Sequence, residues 1–151
     1  MRIVVTLTCI FISQVVFALE LPSGWRLPTE NELLAEPLRK HSPTMNAKIE
    51  GDFNGDGKTD YALLLKSTKF SGEGLAVKLS SSSGYSWQIV SKVSWGQEYP
   101  NINLVMGIDY AEKELPEYQL PGILHYRFES SASVWHWQAV TNSFKQTWVS
   151  D

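Results

Sequence analysis

From Met45 onward, apolar residues recur at every second position, a period that one face of a strand can bury and a helix cannot. Leu75, Val77 and Leu79 alternate with polar or small neighbours, and Tyr85, Trp87 and Ile89 do the same after the serine-rich turn Ser80–Gly84. Ala47–Glu50, Tyr61–Lys66 and Asn103–Ile108 read as further strands, and Leu115–Gly122, with Pro116 and Pro121, as a loop. Near the C-terminus Leu124, Tyr126 and Phe128 alternate with His125 and Arg127, and Trp135 and Trp137 with Val134, His136 and Gln138. Phe144, Gln146 and Trp148 complete the pattern, so Trp135, Trp137 and Trp148 fall on core positions. A two-residue turn at Ser130-Ser131 would set Tyr126 opposite Trp135 and Leu124 opposite Trp137, pairs worth roughly 0.2–1 kcal/mol each. One helix is expected before the strands. Thr29 and Glu32 form a capping-box pattern, Leu33, Leu34 and Leu38 make an apolar side, and Pro37 shortens or kinks the segment. The fold class is therefore mainly β (β-rich α+β). We expect a single small antiparallel β-sheet or sandwich domain of about seven or eight strands with one short N-terminal helix.

Asp52-Phe53-Asn54-Gly55-Asp56-Gly57-Lys58-Thr59-Asp60 interrupts the strands with a different logic. Oxygen-bearing side chains stand at positions 1, 3, 5 and 9, with glycine at position 6. That spacing lets Asp52, Asn54, Asp56 and Asp60 point into one turn while the Lys58 carbonyl fills the seventh position. The carboxylates would repel one another without a divalent ion between them. An all-oxygen set of flexible geometry suits Ca2+ better than Mg2+. A plain polar hairpin is the competing reading, because Asn54-Gly55 and Asp56-Gly57 are both turn dipeptides. An EF-hand is not expected, since Leu63 stands where its bidentate glutamate belongs. Tyr61-Ala62-Leu63-Leu64-Leu65 also reads as a buried strand rather than an exiting helix.

The nine-residue loop and the strand after it resemble the calcium loops of FG-GAP and VCBS-type repeats, in which D-x-[DN]-x-D-G-x-x-D joins two neighbouring strands. The resemblance spans Glu50 to about Lys66. It implies metal ligands at Asp52, Asn54, Asp56, Lys58 and Asp60. The loop has no second copy and the chain no repeat period, so a multi-blade propeller is not expected.

The N-terminus bears on compartment. Arg2 precedes a mostly apolar run from Ile3 to Phe17, and Val16-Phe17-Ala18 suits cleavage before Leu19. Residues 1–18 are expected to be a signal peptide, residues 19–151 the β-rich domain carrying the loop at 52–60, and the location periplasmic or secreted. The run is short for a membrane span of about 20 residues, so none is expected in the mature chain. Cys9, the sole cysteine, leaves with the leader, which removes disulfides, thiol catalysis and cysteine-bound zinc from consideration. Loss of Arg2 moves the formal charge from −3 to −4. No basic stripe offers itself to nucleic acid. The acidic stretch from Asp109 to Glu117 could meet a basic protein, or simply be a solvated loop.

No catalytic constellation emerges. His125 and His136 would face each other in the register above, as a metal or acid–base pair or as two rings covering a solvent face. Gly72-Glu73-Gly74 is too short to cradle a phosphate, and no G-x-S-x-G elbow occurs. The expectation is an exported, calcium-stabilised, non-catalytic protein-binding module, for example an inhibitor or immunity protein against a basic cell-wall hydrolase or toxin. The alternatives are an envelope polysaccharide hydrolase with distant carboxylates, or a carbohydrate-binding module using Trp87 and Trp95.

Overall fold

The computed structural model describes residues 20–96, 103–111, 119–128 and 130–150. The leader with its cleavage point, and most of the acidic stretch 109–117, lie outside the described residues. Nine strands occur among the described residues: β1 (Trp25–Arg26), β2 (Lys48–Gly51), β3 (Asp60–Ser67), β4 (Gly72–Ser81), β5 (Gly84–Ser94), β6 (Met106–Ala111), β7 (Gly122–Arg127), β8 (Ala132–Gln138) and β9 (Ser143–Ser150). They form two antiparallel sheets, β1-β3-β4-β5 with β2 also on β3, and β6-β7-β8-β9. The mainly β fold expected from alternation is what the chain adopts.

The helix α1 (Glu30–Leu34) starts where its cap dictates. The Thr29 amide donates to Glu32 Oε2 at 2.7 Å, and the Glu32 amide donates back to Thr29 Oγ1 at 3.3 Å. Arg26 grips the same carboxylate, which holds Glu32 down at about 2, chiefly through the Arg26 hydrogen bonds. Pro37 then opens a single 3-10 turn, Pro37–Arg39. Of the expected apolar side only Leu33 is buried, whereas Leu38 is 62% exposed. The helix is too short to present a second turn to the core.

Both sheets contribute to one buried core. Ala62, Leu64, Leu75, Val77 and Leu79 come from the first sheet and Met106, Ile108, Ile123 and Trp135 from the second. The first sheet is apolar on its other face too, where Leu63, Leu65 and Ala76 meet Leu21, Trp25, Tyr61, Trp87 and Ile89. Burial on both faces explains why β3 reads as a continuous apolar run rather than an alternating one. Gly74 is needed here, because a Cβ would lie 2.6 Å from the Trp25 ring.

Buried polar groups tie the layers together. The Arg39 guanidinium, fully buried, donates to the carbonyls of Met45 (2.8 Å), Leu104 (2.9 Å), Asn46 (3.4 Å) and Met106 (2.6 Å). It thus pins the 3-10 turn and the segment before β2 onto the entrance of β6. Glu73, equally buried, accepts from the Val105 and Met106 amides and from the Trp95 indole. Burial pushes its carboxyl up, while its cross-strand neighbour Lys66 pulls the other way.

The C-terminal hairpin departs from expectation. The chain reverses between the end of β7 at Arg127 and the start of β8 at Ala132, and the Arg127 amide donates to the Ser131 carbonyl. Ile123, not Tyr126, lies opposite Trp135, and Leu124 lies opposite Val134. Trp148, at 63% exposed, is a surface residue rather than a core one.

Candidate metal centre

The loop from Asp52 to Asp60 closes a hairpin whose last rungs are Glu50 opposite Tyr61 and Gly51 opposite Asp60. The strand pairing on each side therefore fixes where the turn begins and ends. Gly55 and Gly57 take φ of +80° and +78°, conformations that a side chain would strain. With these two residues in the left-handed region, successive amides turn inward. Asp52 Oδ1 accepts from the Gly55 and Asp56 amides at 2.7 and 3.1 Å, and its Oδ2 from the Gly57 amide at 2.9 Å. Asn54 Oδ1 accepts from the Asp56 amide at 3.0 Å, and Asp56 Oδ1 from the Lys58 amide at 2.9 Å.

Asp60 differs from the others. It is fully buried, and its Oδ2 accepts from the Phe53 and Asn54 amides at 2.9 and 3.2 Å. Its Oδ1 accepts from the Ser80 amide at 2.7 Å and lies 2.8 Å from the Ser80 hydroxyl. That hydroxyl is also 2.9 Å from Asp56 Oδ1, so one proton serves two carboxylates. Asn54 Nδ2 donates to the Ser80 carbonyl at 2.9 Å, and Lys58 Nζ to the Ser81 carbonyl at 3.0 Å. The end of β4 is thus the back wall of the loop.

Asp52, Asn54 and Asp56 share one turn with Lys58, while Asp60 sits behind them at the start of β3. Two participants escaped the sequence pattern. Phe53 is fully buried in the shared core and anchors the turn from below. Its signal was a lone aromatic ring in an otherwise polar run. Ser80 carried no signal, because a contact across 20 or more residues has no fixed spacing.

The donor chemistry fits a hard divalent cation: carboxylates, an amide oxygen and a main-chain carbonyl, with no nitrogen or sulfur. An ionised carboxylate offers about four acceptor positions. Asp60 has a partner for each, whereas Asp52 uses three and Asp56 two, leaving acceptor capacity on the exposed side of the turn. No group of three or more His, Cys, Asp or Glu side chains stands in metal-holding geometry among the described residues.

The histidine pair does not form. His125 lies opposite Ser133, and alternation puts it on the Ile123 side of the sheet, in the core. His136 lies on the other face against Gly122, where an added Cβ would meet its Cε1 at 2.6 Å. Both are buried, at 4% and 6% exposure, rather than covering a solvent face. The His125 Nε2 has no hydrogen-bond partner among the described residues, and burial pulls the ring down to about 4.

No helix among the described residues is long and apolar enough to cross a membrane. No family model, curated protein or solved structure matches the chain.

Proposed function

We propose that the chain is an exported, calcium-stabilised, non-catalytic binding module whose ion fixes the register of β2 on β3. The observation that carries this reading is an all-oxygen donor set in one turn held by two left-handed glycines, with acceptor capacity left on Asp52 and Asp56. Asp52, Asn54, Asp56 and the Lys58 carbonyl would form the exposed part of the cage. Asp60 completes the set when the Ser80 hydroxyl turns wholly to Asp56. The ion's role is structural: a bound cation adds about 2.7 kcal/mol to stability at a hundredfold excess over its dissociation constant.

The same reading makes the partner a basic protein in the periplasm or outside the cell, such as a cell-wall hydrolase or toxin that the module inhibits. A mature charge of −4, after loss of Arg2 from a chain of formal charge −3, would speed such an encounter. Melting in calcium and in chelator should differ for the wild type and coincide for Asp56→Ala. Inhibition of basic peptidoglycan hydrolases should weaken as salt rises. Its absence at every ionic strength would remove the partner assignment while leaving the calcium reading intact.

A further inference from the structure

The outer face of the first sheet is only partly covered by the described residues. Trp25 packs over Gly74, and Leu21 packs on the same apolar face, the carbonyl of its neighbour Glu20 accepting from the Trp87 indole. A groove of about 710 Å³ stays open. Leu27, Pro28, Leu33, Leu63, Tyr61 and Tyr85 are among the residues that line it. Leu27 and Tyr85 are about half exposed, so the groove is reachable from solvent.

Two ammonium groups stand at its rim, of which Lys48 is paired with the Glu50 carboxylate, so one net positive charge remains there. Lys48 reaches Glu50 at 2.6 Å and lies 5.2 Å from the Tyr61 ring centroid. Lys78 lies over the Tyr85 and Trp87 rings at 4.8 and 6.0 Å. Both cations therefore stand on aromatic faces at the mouth of an apolar trough. That arrangement suits a ligand with one anionic end and one long apolar end. The volume falls in the range of about 300–1,000 Å³ typical of small-ligand sites. A flat sugar fits the lining less well, because Leu27, Pro28, Leu33 and Leu63 give it mostly aliphatic surface with few hydrogen-bonding groups.

We propose that this groove binds a single-chain fatty acyl carboxylate, its chain laid along Leu27, Leu33 and Leu63 and its head group between Lys48 and Lys78. The site lies on the sheet rather than on the metal loop, so it does not rest on the calcium reading.

The purified chain, kept in chelator, should be titrated with dodecanoate below its micelle concentration while tryptophan fluorescence is followed, Trp87 being beside the head-group position. Saturable binding of one dodecanoate per chain is expected, with dodecyl maltoside and dodecyltrimethylammonium at least about fivefold weaker. Lys78→Gln should weaken dodecanoate about fivefold without changing the maltoside. Leu27→Asp, at a half-exposed position on the groove lining, should abolish both while the chain still melts cooperatively. No saturable dodecanoate binding, equal affinity for all three head groups, or binding only to phosphatidylglycerol vesicles would each overturn the proposal.

Discussion

Replacing Asp60 with alanine should destabilise the chain severely even when no calcium is present. The carboxylate is fully buried and is the acceptor for the Phe53, Asn54 and Ser80 amides as well as the Ser80 hydroxyl. Alanine leaves the Phe53 and Ser80 amides buried without a partner, at about 1–3 kcal/mol each. The Asn54 amide and the Ser80 hydroxyl lie nearer the surface or have another acceptor in Asp56, and add less. Relief of repulsion between Asp60 and Asp56, whose oxygens both lie within 2.9 Å of the Ser80 hydroxyl, offsets about 1 kcal/mol where water screens the pair and about 3 kcal/mol at an effective dielectric near 20. The net is a loss of about 2–4 kcal/mol, a large part of the roughly 5–15 kcal/mol that holds a typical domain. Urea unfolding of both proteins in chelator measures it, with equal m-values as the check that the same surface unfolds. A loss under about 1 kcal/mol would refute the role of Asp60 as the strut behind the turn.

Arg39→Met should cost about 3–5 kcal/mol in the same assay, because four main-chain carbonyls lose a fully buried donor. Arg39→Lys should recover less than half, since an ammonium cannot span four carbonyls in a fork. His125 titrates near 6.5 when unfolded but is pulled down to about 4 by burial in the folded chain, so folding favours the neutral ring. Its contribution is therefore complete above pH 6.5 and is lost as pH falls toward 4, by about 3 kcal/mol in full. His125→Leu should flatten the stability profile between those limits relative to wild type. An unchanged slope would show that the ring is solvated.

What the sequence made legible was local. The capping box needs only Thr29 and Glu32 three residues apart, and both reciprocal bonds are present. The loop's glycines announce their positive φ because Asn54-Gly55 and Asp56-Gly57 are turn dipeptides, and the strands on either side follow from the Leu-rich run. The C-terminal register was not legible. A reversal between Arg127 and Ala132 in place of a two-residue turn at Ser130-Ser131 moves the pairing by an odd number of residues, which puts His125 on the same face as Trp135. Leu124 and Tyr126 consequently lie on the side away from Ile123. Arg39, Glu73 and Ser80 were invisible for a different reason. Their partners are Leu104, Met106 and Asp60, brought together only by the fold, and no periodicity marks a polar residue destined for burial.

Calorimetric titration of the chelator-treated chain with Ca2+ tests the central claim most directly. One ion per chain, with a heat that vanishes in Asp52→Ala and in Asp56→Ala, is the result expected of a cage built from the turn between β2 and β3. A featureless titration up to millimolar Ca2+, from a chain that still melts cooperatively, would mean that the turn is held by its own hydrogen bonds alone.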